Sequence, residues 1–323
     1  MNESLPDESS HDEKIRGIRR FRWRANIVVI LLLIFCGAGY YWFFLARPTG
    51  TGPAGPDVPP EPFQTVWSER QILLLGMGDS ITAGFGMSKG YGYVDWMLDN
   101  PPDEFAEMQG ICLRKVLPNI EVKNISVSGS TSLQHADWID SKLETQPNEL
   151  FGLVVFTTGG NDLIHNYGRS KPKEGAMYGA TLEEAKGWID NYQNRLNTML
   201  EKTNEKFPGG CVVFLCDIYD PTDGVGDAVS AFLPDWPDGL KILAEYNRII
   251  QKAAEKYDYV FHVPLHETYL GHGTHSTQFW RKHYRWGDPT YWFGTNLEDP
   301  NIRGFDAIRR IFLIEIAKNK DRF

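Results

Sequence analysis

Beyond residue 63 the chain alternates short apolar runs with longer stretches of helical spacing. The runs Arg70–Met77, Ile120–Ser128, Leu150–Thr157, Cys211–Asp217 and Tyr259–Leu265 predict five strands. Leu153-Val154-Val155-Phe156 is apolar throughout, as in a strand covered on both faces. Ile120, Val122, Ile125 and Val127 instead alternate with polar residues. The spacing predicts helices over Tyr91–Leu98, Glu104–Leu117, Thr131–Leu143, Thr181–Lys206, Leu240–Lys256 and Gly304–Asn319. Thr181 and Glu184 stand in capping-box register at the start of one of them. Strands alternating with helices predict an α/β fold: one parallel sheet, order 2-1-3-4-5, helices on both faces. Ligands of such sheets collect beyond the carboxyl ends of the strands, at the switch point.

The amino-terminal pattern is different. Ala25 to Ala46 is apolar apart from Asn26, and roughly 20 such residues span a bilayer core. Lys14, Arg16, Arg19, Arg20, Arg22 and Arg24 precede it, which predicts a cytoplasmic amino terminus and an exported remainder. Tyr40, Tyr41 and Trp42 suit the far interface. The leader begins acidic and carries no A-x-A-like site, so we read a signal anchor rather than a cleaved peptide. Pro48 to Pro62 is rich in proline and glycine and reads as a stiff linker. The expected organisation is thus a cytoplasmic tail (1–24), a transmembrane helix (25–46), a linker (47–62) and one domain (63–323).

Composition adds little to this. The 42% hydrophobic and 23% charged content is that of a globular protein. A net charge of −9, with no basic stripe interleaved with aromatics after residue 47, argues against a nucleic-acid partner. Cys211 and Cys216 are five apart in one strand, so they point to opposite faces and do not pair locally; Cys112 is left as a partner for either. The acidic insertion Asp217–Asp238 lacks EF-hand spacing, and no cofactor or metal set is expected.

Candidate chemistry gathers at the strand ends. The first strand runs into Gly76-Met77-Gly78-Asp79-Ser80-Ile81-Thr82-Ala83-Gly84, placing Ser80 where a helix begins. Free N–H groups and the positive helix end favour a developing negative charge there. A serine so placed attacks an acyl carbon when a base takes its proton. Asn124 to Ser132 follows the second strand, and Thr157-Thr158-Gly159-Gly160-Asn161-Asp162 follows the third. The N–H groups of Ser80 and Gly129 and the side chain of Asn161 would make an oxyanion hole. Taken singly, each stretch also reads as an ordinary βα turn, with Ser80 an N-cap.

These blocks together resemble the SGNH (GDSL-type) hydrolases over roughly residues 68–320. Gly78-Asp79-Ser80-Ile81-Thr82-Ala83-Gly84 matches the first block. Asn124, Ser128, Gly129 and Thr131-Ser132 match the second, and Gly159-Gly160-Asn161-Asp162 the third. The resemblance implies a flavodoxin-like three-layer sandwich and ester hydrolysis with Ser80 as nucleophile. It also implies Ser80 N–H, Gly129 N–H and Asn161 as the oxyanion hole. The fourth block, Asp-x-x-His, is altered. The register of Pro300-Asn301 and Gly304 puts Asp299 where the histidine belongs and Asn296 where the aspartate belongs.

The general base is therefore sought elsewhere. His262, His266, His272, His275 and His283 lie in or near the long excursion that ends at Arg303. Imidazole titrates near working pH, and glycines flank His272. We expect His275 or His272 to fold inward toward Ser80, with His275 preferred and Asp299 as the alternative. The aromatics of the excursion suit either a substrate groove or loop packing. The expected function is a membrane-anchored, exported serine esterase acting on acyl or acetyl esters, cell-envelope glycans among them. An acyltransferase, a non-catalytic glycan-binding protein and a metal hydrolase built on His272 and His275 are the alternatives.

Overall fold

The computed structural model describes residues 8–323, in two units, Met1–Ala46 and Arg47–Phe323. Glu3 and Asp7 of the expected tail lie outside the described residues.

The first unit is one helix, α1 (Glu8–Tyr40), ending in a π-helical turn over Tyr41–Leu45. Its segment Ile18–Leu45 is long and apolar enough to cross a membrane, a test that a signal sequence also passes. At 1.5 Å per residue it is about 42 Å long, more than a hydrocarbon core.

The second unit holds five strands: β1 (Ile72–Met77), β2 (Ile120–Asn124), β3 (Phe151–Phe156), β4 (Cys211–Cys216) and β5 (Val260–Val263). All pairings are parallel and the order is β2-β1-β3-β4-β5, as expected. Side-chain alternation then decides which layer each residue joins. Ile72, Leu74, Leu153, Val155 and Phe214 pack on one face; Leu73, Leu75, Val154, Val213 and Leu215 pack on the other. Cys216 belongs to the first core and Cys211 to the second, and all four cysteines are free.

After β1 come the short α2 (Ser80–Ala83), α3 (Tyr93–Leu98) and α4 (Leu113–Val116). Next are α5 (Ser132–Lys142) after β2, then α6 (Gly160–Ile164) and α7 (Leu182–Glu205) after β3. The chain closes with α8 (Gly239–Lys256), α9 (Leu265–Tyr269) and α10 (Ile302–Lys318). Helices α3 and α10 cover the first core, and α5, α7 and α8 cover the second. This is the three-layer sandwich.

Three sequence expectations are corrected. Glu104–Leu117 is not one helix: a 3-10 turn at Ala106–Met108 and α4 are separated by Gly110, at φ 74°. Glu104 is drawn instead to the buried Arg309. The second strand stops at Asn124, although Ile125 and Val127 still donate N–H bonds to Gly76 O and Gly78 O. Val122 stays exposed, since β2 is the sheet edge.

The third correction is the proline-rich segment, which is no free linker. Ala54 and Val58 are buried, and Tyr291 N–H bonds to Pro48 O at 2.7 Å. Arg303 donates to the carbonyls of Thr51 and Gly52 at 3.1 and 2.8 Å, and Ala54 N–H donates to Asp306 at 3.0 Å. Prolines leave carbonyls without competing donors, and α10 supplies an arginine for them. The folded domain begins at Arg47.

Candidate active site

The three sequence blocks meet at the carboxyl edge of the sheet. Asp79 caps α2, its Oδ1 accepting Ile81 N–H at 3.1 Å and Thr157 Oγ1–H at 2.9 Å. Thr157 Oγ1 is 2.8 Å from Thr82 Oγ1, which is 2.9 Å from Tyr93 OH. A polar chain thus ties the serine helix to the end of β3 and to α3. Burial pushes the Asp79 carboxyl up to about 6; the Thr157 and Ile81 bonds oppose this, and the charge of Asp299 adds to it. Gly78, at φ 132°, is what permits the approach: a Cβ there would lie 2.3 Å from Thr157 O.

The second block is braced onto the third. Asn124 Nδ2 donates to Thr82 O at 2.8 Å, holding the β2 edge to the serine helix. Ser130 Oγ donates to Gly78 O at 3.2 Å, and Asn161 Nδ2 donates to Ser130 O at 2.7 Å. Asp162, fully buried, accepts Ser132 N–H at 2.8 Å and Ser132 Oγ–H at 2.5 Å. Arg195 of α7 stands 3.6 Å from the same carboxylate, bonds Ser132 Oγ and pairs with Glu174. Gly159, at φ 96°, turns the chain against the stacked rings of Tyr192 and Tyr246.

Two positions here were invisible to pattern reading. His135 reaches Ser130 Oγ with Nε2 at 2.6 Å and Thr158 Oγ1 with Nδ1 at 2.8 Å. Burial pushes it down to about 3, so it is a neutral strut between the blocks. Arg195 lies on a helix whose pattern reads only as amphipathic. The available hint was position: His135 falls one turn after Thr131, on the face that must meet the sheet edge.

Asp79, Ser80 and Asn161 line one cavity of about 340 Å³. Most of its lining is apolar, with Leu163, Ile164, Ile218, Trp236, Leu240 and Leu243 in it, beside Arg169, Asp220 and Glu298. Gly129 sits at the same edge beside Ser130, at φ 78°, but is not in this wall.

Three residues of the fourth block join the cavity wall, and Asp299 is not among them. Asn296, Leu297 and Glu298 line it together with Ser80. Asn296 Nδ2 donates to Asp299 Oδ2 at 2.5 Å, and its Oδ1 accepts Asp299 N–H at 3.2 Å. The other carboxylate oxygen, Asp299 Oδ1, is buried with no hydrogen-bond partner. Tyr167 and Tyr219 bond to Glu298 and steady the loop.

The loop histidines are elsewhere, contrary to expectation. Neither His272 nor His275 lines the Ser80 cavity. His272 stacks on Trp292 at 3.4 Å, and its Nδ1 is 2.9 Å from Thr290 O; burial pushes it down to about 4. His275 is buried near Asp227, 3.8 Å away. The reason is Asp223, which accepts N–H bonds from Gly271, Gly273 and His275 at 2.7–2.9 Å. These bonds wind the glycine loop around a carboxylate of the 217–238 insertion instead of letting it fold toward the serine. Among the described residues, no group of three or more His, Cys, Asp or Glu side chains is placed to hold a metal ion.

A parallel α/β sandwich with a capped serine and an adjoining Gly-x-Asn-Asp turn defines the SGNH class of hydrolases. Residues 77–286 match the GDSL-like Lipase/Acylhydrolase family, and the chain belongs to it. Among solved structures it is similar to an acetyl xylan esterase from Geobacillus stearothermophilus. The two are 18% identical, with 76% of this chain and 94% of that one covered and a TM-score of 0.49. It is also similar to the psychrotrophic esterase EstA from Pseudoalteromonas, at 17% identity, 77% and 97% coverage and a TM-score of 0.44. The uncharacterized protein YpmR of Bacillus subtilis is 29% identical over 97 residues, 30% of this chain. That match spans 34% of YpmR, about a third of its length.

Proposed function

We propose that this protein is a membrane-tethered serine esterase whose substrates carry an apolar acyl group. The observation that carries the reading is the cavity: Ser80 lines a space of about 340 Å³ whose lining is mostly aliphatic and aromatic. An acetyl group would leave most of it unfilled. Burying each methylene of a longer chain contributes about 0.8 kcal/mol. The alcohol portion, an envelope glycan or another acceptor, lies outside the cavity, and transfer to such an acceptor uses the same serine chemistry.

In this reading Ser80 Oγ attacks the acyl carbon, and the backbone N–H groups of Ser80 and Gly129 with the side-chain amide of Asn161 receive the oxyanion. Asp299 takes the Ser80 proton. Its Oδ1 is a buried acceptor without a donor, Asn296 fixes its other oxygen, and its charge is felt at Asp79 beside the serine. Asp299 returns that proton to the alcohol oxygen as its bond to the acyl carbon breaks, leaving the acyl-enzyme; water then gives a proton to Asp299, attacks the acyl carbon and releases the acid as Ser80 Oγ regains the proton. A non-catalytic binding protein is the second reading, favoured by the altered fourth block.

The test is turnover of aryl esters of graded chain length. Ser80→Ala abolishes hydrolysis, Asn161→Ala lowers it about 100-fold to 1000-fold, and chains longer than acetyl are preferred. Asp299→Asn removes turnover while His272→Ala and His275→Ala retain it; the reverse pattern returns the role to a loop histidine. No turnover of any ester by the unaltered protein would leave the binding reading.

A further inference from the structure

The turn that walls off the acyl cavity has a second, outward side. Residues 228–233 contribute Ala228, Ala231 and Leu233 to the cavity lining. Between them Val229 is 60% exposed and Phe232 is 85% exposed, the latter at φ 60°. A bulky side chain in the left-handed region is strained, and most of its apolar surface is left in water as well. The turn is held in that shape. Ser230 N–H donates to Asp227 Oδ1 at 3.0 Å, and Ser230 Oγ lies 3.0 Å from Thr274 Oγ1. The two apolar tips are thus presented, not merely loose.

What they face follows from the chain's own connectivity. Arg47, the first residue of the catalytic domain, donates from Nη2 to Ser230 O at 3.3 Å. Only Ala46 separates Arg47 from Leu45, the last residue of the apolar segment. The turn is therefore tied to the point at which the chain leaves that segment.

We propose that Val229 and Phe232 dock into the surface of the bilayer crossed by the apolar helix, bringing the wall of the Ser80 cavity against the lipid. The occupant is the lipid surface itself, because a turn fixed to the first residue past a span has that surface within reach. The consequence is a route of supply: ester substrates bearing apolar chains enter from the membrane rather than from water. This rests on the reading that Ile18–Leu45 spans a membrane, and the experiment separates the two claims.

The full chain is reconstituted into phosphatidylethanolamine–phosphatidylglycerol vesicles and spin-labelled at one cysteine at a time. Cys36 within the apolar helix is exposed while Cys112, Cys211 and Cys216 are buried, so it serves as the native reporter of the span. Phe232→Cys and Val66→Cys are labelled in a Cys36→Ser background; Val66, exposed just ahead of β1, is the aqueous control. Collision with oxygen is compared with collision with a water-soluble nickel chelate. The expected result is oxygen-dominated relaxation at Cys36 and at position 232, and nickel-dominated relaxation at position 66. The depth at 232 is about 5–10 Å into the headgroup–acyl boundary, as for other interfacial apolar groups. Oxygen access at Cys36 with nickel access at 232 overturns the docking and spares the span. Nickel access at Cys36 overturns both. Matching thermal unfolding of the labelled variants and the unaltered chain establishes that the labels report the native fold.

Discussion

Asp79 is a helix cap, a brace of the Ser80 helix and a carboxylic acid held away from water, and these roles make its ionisation measurable. Burial raises its folded-state value to about 6 from the ordinary 3.8. The sign follows from the direction. Below about pH 4 the group is protonated folded or unfolded, and its contribution is fully present. Between about pH 4 and 6 the unfolded chain ionises first, so stability from this group falls as pH rises. The shift corresponds to about 3 kcal/mol. We predict that Asp79→Asn removes this decline. Urea unfolding at intervals from pH 4 to 7 checks it, the variant's curve rising relative to the parent's toward pH 6; parallel curves would refute it. His135 works with the opposite sign. Its value is lowered to about 3, so its contribution is present above about 6.5 and is lost on acidification. The comparison is therefore made between variant and parent and not on the parent alone.

At the scale of elements, the site depends on how closely β1 and β3 deliver their carboxyl ends. Gly78 and Gly129 both have positive φ, yet they are not equivalent. A Cβ at Gly78 meets Thr157 O and Oγ1 at 2.3 Å and Thr157 N at 3.0 Å, so backbone would have to shift. A Cβ at Gly129 meets nothing within 4 Å. We predict that Gly78→Ala costs about 3 kcal/mol or more and removes turnover, since relief requires α2 to shift. Gly129→Ala costs only the left-handed strain of about 1–2 kcal/mol and leaves its N–H in place. Thermal unfolding of the two variants beside the parent separates them; equal losses would mean that the close packing at Gly78 is not what fixes the serine helix.

At the scale of the whole molecule, segment 47–62 is packed rather than free. Arg303, Asp306 and Tyr291 bind its backbone, so it is part of the domain. The basic cluster Lys14–Arg24 predicts that the domain lies on the side opposite the amino terminus. A membrane-impermeant lysine reagent added to intact spheroplasts should modify domain lysines such as Lys241 and Lys252. Modification only after permeabilisation would reverse the orientation.

Periodicity was enough for the five strands, their parallel order and the placing of Ser80, Gly129 and Asn161 at one edge. Each of these depends on local spacing or on the short reach of a βα turn. Gly78 was readable as a glycine, but the carbonyl of Thr157 that requires it lies 79 residues away in the chain. The same limit hid the strut His135 and the pairing of Arg195 with Asp162. Asn296 and Asp299 were legible by register, but only the fold gave them a shared bond and gave Asn296 a place at the cavity. His272 and His275 seemed suited to catalysis because flexible glycines neighbour them. Asp223, 48 to 52 residues earlier, takes the backbone N–H groups of Gly271, Gly273 and His275 and turns the loop away. Composition likewise read Pro48–Pro62 as a spacer, because nothing in proline and glycine content announces an arginine on the last helix. Hydrophobic spacing dictates which face of an element is buried. Which polar partners meet across elements is decided only when the chain has packed, since a lone carboxylate claims whichever donors the fold brings within 3 Å.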